Sequence, residues 1–154
     1  MSSFATYTLR NADEHDLNFL FGVIAANKNK PFDWGEEFRE FKKNFEPEKI
    51  RIIRYQNRDV GRLRVFWPPN CLWVGGIHLL PVYQSRGIGS AIFATLIKKS
   101  GQRGVPVRLW VYDENESAFR FYTRHGFVEE VMSKEERLAV KIPDGVKQLI
   151  RAPR

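Results

Sequence analysis

The chain has 154 residues, of which 43% are hydrophobic and 28% charged, and it carries a formal net charge of +7. This composition is that of one globular domain able to bury about two thirds of its unfolded surface, with charge too well mixed for disorder, and the lone Cys71 excludes an internal disulfide. The basic balance would attract an anion, but the cations stand scattered or in pairs such as Lys42 with Lys43, so nucleic acid is an unfavoured partner. No charged and apolar leader opens the chain, and the run from Phe19 to Ala26 is far short of the roughly 20 residues of a membrane span, so a cytoplasmic protein with no membrane partner is expected.

The first predicted element is a strand at Tyr7 to Arg10, followed by a helix capped by Asp13 that carries Leu17, Leu20, Phe21 and Ile24 at helical spacing. After the loop "NKNKPFDW", Phe38, Phe41 and Phe45 mark one side of a second helix and predict core packing. From Ile50 the period becomes two: "IRIIRYQ", the turn "NRDVG", "RLRVFW", "PPN" and "CLWVGGIHLL" predict an antiparallel meander. A glycine loop follows, then a helix from about Gly87 to Ser100, a strand "VRLWV", a helix "ESAFRFYTRHG" and strands near "FVEEVM" and "RLAVKI". The end, "VKQLIRAPR", reads as an exposed tail, either an RNA contact in keeping with the net charge or equally a frayed end. The expected organisation is one mixed α/β domain over residues 1–154, with its core at about 7–142 and a tail at about 143–154.

The loop "QSRGIGSAI" carries the chemical signal. Glycine is costly at a helix start unless the turn needs unusual backbone angles or something must approach closely, and backbone N–H groups at the positive end of a helix dipole suit a phosphate. A P-loop is excluded because no Gly-Lys-Ser or Gly-Lys-Thr ending exists. A dinucleotide fingerprint fits poorly: Ile92 stands where a small residue is wanted and "PVYQSR" separates the loop from its strand, although Asp113 imitates the acidic ribose ligand.

Gln84, Gly87 and Gly89 match the acyl-CoA pyrophosphate loop of the GNAT superfamily of N-acetyltransferases: Gln or Arg, two residues, Gly, one residue, then Gly or Ala. The stretch "NESAFRFYTRHGF" resembles that family's second hallmark, an Asn, an Ala three residues on, an aromatic and Tyr pair and a closing Gly-Phe. The resemblance runs from Tyr7 to about Ile142. It implies a mixed, mostly antiparallel sheet flanked by helices, with a splayed strand pair that holds acyl-CoA.

The resemblance also implies roles. Ile77, His78 and Leu79 would pair with the pantetheine arm, beside Gly75 and Gly76 as a bulge or close approach, and the diphosphate would rest on Ser85, Arg86, Gly87, Ile88, Gly89 and Ser90, with Gln84 shaping the loop. Asn115 would contact the cofactor arm, Ala118 would leave room beside it, and Tyr122 would give a proton to the departing thiolate. Acetyl-CoA is thus the expected co-substrate and an amine the expected acceptor, by direct attack with an oxyanion held by a backbone amide near Leu79; no metal is expected, and self-association as a homodimer is left open.

A general base is not evident. Trp73 and Trp110 occupy strand positions where some family members place a glutamate, which leaves His78 as the nearest titratable group, expected to titrate near 6 to 7 as a base; its alternative is a structural imidazole. Cys71 has no evident base and is unsuited to be a nucleophile. The acceptor wall is expected from Asp33, Trp34, Glu37, Trp73 and Trp110, aromatics and acids that suit a small cationic amine. The alternatives are a protein or peptide acceptor, at an N-terminus or lysine, and a non-catalytic acyl-CoA-binding module.

Overall fold

The computed structural model describes residues 6–28 and 33–153. The strands are β1 (Thr8–Asn11), β2 (Ile50–Tyr55), β3 (Arg58–Phe66), β4 (Leu72–Leu79), β5 (Val107–Tyr112), β6 (Val128–Glu129) and β7 (Val146–Arg151). The helices are α1 (Leu17–Ala26), α2 (Trp34–Lys43), α3 (Ile88–Gln102), α4 (Glu116–Arg124) and α5 (Lys134–Ala139). Hydrogen bonding orders the strands β1-β2-β3-β4-β5-β7-β6, a mixed seven-stranded sheet flanked by helices. Most neighbours are antiparallel, whereas β4 and β5 pair in parallel over Leu72↔Val107, Trp73↔Arg108 and Val74↔Leu109.

The chain forms two compact units. The first comprises Met1–Val65 with Gly76–Ala91, and the second Phe66–Gly75 with Ile92–Arg154.

In the first unit, a hairpin sets the register. Gln56 and Asn57 both adopt left-handed angles, φ +53° and +64°, as a two-residue turn that follows the right-handed twist of its strands requires. The turn therefore falls ahead of the expected "NRDVG", and Gly61 lies inside β3, where an added Cβ would collide with the His78 carbonyl oxygen. The β2–β3 register shifts between Ile53 and Arg54, which leaves Val60 as the extra residue of a bulge.

Ile50 and Ile52 of β2 pack with Leu20 of α1, and Phe41 and Phe45 lean on that cluster as expected of their stripe. The stripe is half-buried rather than fully enclosed: Phe21 meets Phe38 and Phe41 at ring distances of 5.0 and 5.7 Å.

In the second unit, Phe93 of α3 is fully buried and sits at the centre of an aromatic cluster with Phe121, Tyr122 and Phe127. Two elements differ from expectation. The stretch "RLAVKI" is not a strand: Ser133 accepts the N–H of Glu136 and caps α5, a side-chain cap that overrides the short apolar run. The expected tail at 143–154 is largely β7, which pairs with β5 over six residues and buries Val146 and Leu149, so the core reaches past residue 142. The strand expected at "FVEEVM" shrinks to Val128–Glu129.

Candidate active site

Three elements of the first unit carry the predicted cofactor residues: the end of β4, the loop after it and the start of α3. Leu80 N–H donates to the Val60 carbonyl at 2.8 Å, and the His78 carbonyl faces Gly61, so His78 and Leu80 turn their backbone groups toward β3. Strand alternation then turns the groups of Ile77 and Leu79 to the opposite side. Neither residue belongs to the three pairs of the β4–β5 ladder.

The Leu79 carbonyl is already filled. Asn27 Nδ2 donates to it at 3.0 Å and Gln84 Nε2 at 3.1 Å, which uses both lone pairs. Gln84 Nε2 also donates to Asn27 Oδ1 at 2.8 Å, and Asn27 Nδ2 reaches back to the Val23 carbonyl at 2.9 Å. One amide thus ties the loop to the end of β4 and to the last turn of α1. Gln84 ties the loop to β4, and Asn27 completes the clamp; Asn27 was not singled out from sequence, because an Asn after a helix reads as an ordinary cap.

Beyond Gln84 the backbone turns sharply. Ser85 and Gly87 hold left-handed angles, φ +61° and +82°, on either side of Arg86. Alternation of hand in successive residues gathers N–H groups into an anion-binding concavity. The first α-helical bond of α3 runs from Ala91 N–H to the Gly87 carbonyl at 3.0 Å, so the N–H groups of Ile88 and Gly89 precede the helical ladder and have no intrahelical partner. A Cβ on Gly87 would meet nothing within 4 Å, so glycine is needed there for its angle and the space alongside is open. Arg86 lies over the Tyr83 ring at 5.3 Å and is exposed. N–H donors, a helix dipole, open space and an exposed cation fit a diphosphate.

His78 departs from the role considered for it. Its Nδ1 lies 3.1 Å from Nη1 of Arg62, a residue 6% exposed. An arginine can only donate, so Nδ1 accepts and the ring proton sits on Nε2. Burial first, then the charges of Arg62 and Lys28, push the imidazole down to about 4, below the 6 to 7 expected of a base. At neutral pH His78 is an uncharged ring whose one basic nitrogen is occupied.

Among the acceptor candidates of this unit, the Asp33 carboxylate caps α2 by accepting Glu36 N–H at 3.0 Å. Trp34 is exposed and meets the Phe21 ring edge-on at 5.9 Å. Glu37 lines an open cavity of about 400 Å³ bordered by residues of α1, α2, β2 and β3, together with Lys28, Glu40, Arg62 and Arg64. Asn29 to Phe32 of the expected acceptor wall lie outside the described residues.

In the second unit, Asn115 Oδ1 accepts Ala118 N–H at 3.1 Å, so Asn115 is the cap of α4 and Ala118 its partner; the amide Nδ2 remains as a donor. Tyr122 stands among Phe93, Phe121 and Phe127 at ring distances of 5.5 to 5.7 Å, and burial pushes its phenol up to about 12. A phenol held so firmly protonated is a hydrogen-bond donor first and a reluctant acid. Trp73 and Trp110 meet edge to face at 5.4 Å, and Trp110 Nε1 donates to Gln148 Oε1 at 2.9 Å. Among the described residues, no group of acids, histidines and cysteines is arranged to hold a metal ion, and no helix is long and apolar enough to cross a membrane.

Comparison with known proteins assigns the family. The family model of the acetyltransferase (GNAT) family matches residues 19–127, well over half of the chain. No curated protein matches the sequence. Among solved structures, the ribosomal-protein-S18-alanine N-acetyltransferase of Escherichia coli is similar at a TM-score of 0.68 and 18% identity, over 96% of this chain and 94% of that one. The PaiA N-acetyltransferase of Thermoplasma acidophilum, solved in complex with coenzyme A, gives 0.67 and 16% over 96% and 99%. Ard1 of Thermoplasma volcanium gives 0.67 and 17% over 96% and 98%. These likenesses are of fold, and with the matched family model they lead to one conclusion: this chain belongs to the GNAT family and is an N-acetyltransferase that uses acetyl-CoA.

Proposed function

We propose that the enzyme acetylates the primary amine of a small molecule by direct attack. The neutral amine nitrogen bonds to the acetyl carbon as the carbon–sulfur bond breaks, and one amine proton ends on the released thiol. The observation that carries this reading is the joined geometry of β4 and its loop: backbone groups of Ile77 and Leu79 turned away from β3, followed by a concavity at Ser85, Arg86 and Gly87. The cofactor supplies an activated acetyl group. The loop N–H groups from Ser85 to Ser90 hold its diphosphate, Ile77 lines its arm, and the Leu79 N–H faces the acyl oxygen, where it steadies developing negative charge.

The family resemblance supports Tyr122 as the proposed donor to the departing sulfur and Asn115 and Ala118 as proposed cofactor residues. No side-chain base is assigned. Deprotonating an alkylamine of pKa about 10.4 costs roughly 4 to 5 kcal/mol at pH 7, and His78, with Nδ1 occupied, is not placed to supply it. The uncharged fraction of the amine is therefore the reacting species. Asp33 serves as a cap rather than an acceptor contact, whereas Glu37 faces the cavity under α2.

The test is a panel of small amines and of peptides with free N-termini or lysines, incubated with acetyl-CoA and read by mass. Acetylation of small amines at rates well above the peptides supports the reading; acetylated peptides with untouched small amines would replace it by a protein acceptor.

A further inference from the structure

The cavity under α1 and α2 contains a charge that the fold does not compensate. Arg62 pairs with Ile52 across the hairpin, and directly opposed residues share a face, so its side chain enters the apolar layer of Ile50 and Ile52. It is 6% exposed, its Nε is buried with no hydrogen-bond partner, and among the described residues its Nη1 bonds to the neutral His78 ring. Among the described residues, no carboxylate forms an ion pair with it.

Three other arginines have carboxylate partners. Arg10 binds Asp16 and Asp59, Arg64 binds Glu46, and Arg108 binds Glu130, each at 2.8 Å. A buried charge without a counter-ion costs several kcal/mol, so a fold selected for stability alone would place an apolar residue here. The chain instead makes room for it: a Cβ at Gly76 would stand 2.9 Å from the Arg62 Nη1. The guanidinium lines the cavity of about 400 Å³, a volume within the range of small-ligand sites.

Nη1 is engaged by His78 and Nε is closed to solvent, so Nη2 is the nitrogen that a ligand in the cavity can reach, a charge-assisted donor suited to a carboxylate oxygen. Resting on the reading that β4 holds the acetyl-CoA arm, we propose that Arg62 anchors a carboxylate of the acceptor, so that the amine acetylated here belongs to an amino acid or a similar small amino-carboxylate. Glu37, Glu40 and Glu46 line the cavity beside Lys28, Arg62 and Arg64, so its charges balance and do not favour a doubly charged phosphate.

The experiment compares free amino acids with their C-terminal amides as acceptors for the full-length enzyme, alongside O-phosphoethanolamine. The best amino acid should exceed its amide about a hundredfold in kcat/KM. Arg62→Met should lose about a hundredfold on the acid and less than tenfold on the amide, with CoA binding by calorimetry unchanged and no fall in Tm. Arg62→Lys, which keeps the charge and serves if the methionine variant does not fold, should recover about tenfold of the loss. Equal turnover of acid and amide, a preference for O-phosphoethanolamine, or a retained acid preference in both variants would overturn the proposal. Stabilisation of the parent by N-acetylated amino acids but not by their amides, lost in Arg62→Met, tests the anchor without acetyl-CoA. A parent that shows that stabilisation yet fails to bind CoA would count against the cofactor reading and not against Arg62.

Discussion

Nη1 of Arg62 stands 3.1 Å from Nδ1 of His78, and this contact fixes the tautomer of the imidazole. With its pKa pushed down to about 4 by burial and by Arg62, His78 binds no proton across the physiological range. The pH profile of kcat/KM should therefore rise toward the amine pKa with no inflection near 6 to 7. In proton-detected titrations the His78 ring should have its midpoint near 4 and move toward 6.5 in Arg62→Met. An ordinary midpoint in the parent would show that the contact does not form in solution.

The same depression has a cost for stability. An unfolded His takes up a proton at about 6.5 while the folded one does not until about 4, so stability falls as pH drops through that window, by up to about 3 kcal/mol. Below it a second loss begins. Asp16 and Asp59 are held below the usual carboxylate range chiefly by hydrogen bonds from Arg10, so the stability they confer is present above about 4 and lost as pH falls through their folded pKa values. His78→Gln should flatten the denaturation midpoint between pH 6.5 and 4, and Arg10→Met should remove part of the dependence below pH 4. Unchanged profiles in both variants would contradict the assignment.

The clamp of Gln84 and Asn27 on the Leu79 carbonyl predicts a loop effect without contact to the reacting atoms. Each lost hydrogen bond is worth about 1 kcal/mol, so Gln84→Ala and Asn27→Ala should each weaken CoA binding about fivefold to tenfold. Because the two side chains share partners, the double variant should lose less than the product of the single losses. Full multiplicativity in calorimetric titrations would show that they act separately.

Tyr122→Phe keeps the ring among Phe93, Phe121 and Phe127 and removes only the donor. With the phenol pushed up to about 12, the expected loss is that of one hydrogen bond to sulfur, about tenfold in kcat, with CoA affinity and Tm unchanged. Full activity would make Tyr122 a packing residue.

What was legible in the sequence was local. Gly87 ahead of an apolar helix, the turn residues of the meander and the N-cap Asp13 each declare a backbone conformation in a few neighbouring residues. Arg62 was missed because its meaning depends on register: the two-residue turn at Gln56 and Asn57, followed by the bulge at Val60, sets it opposite Ile52, on the covered face. The tail was misjudged for a related reason, since β7 is held by pairing with β5, a partner more than thirty residues away. The strand expected at "RLAVKI" failed because the cap at Ser133 outweighed a short apolar pattern.

The central claim is that the turn at Ser85, Arg86 and Gly87, with the start of α3, holds the CoA diphosphate. Gly89→Glu places a carboxylate at that start, and two unit charges about 4 Å apart repel by about 4 kcal/mol at an effective dielectric of 20. Calorimetric titration of CoA into the parent and the variant, with folding checked by circular dichroism, is the most direct test. A loss of affinity of a hundredfold or more in a folded variant is the expected result; equal affinity would place the diphosphate elsewhere.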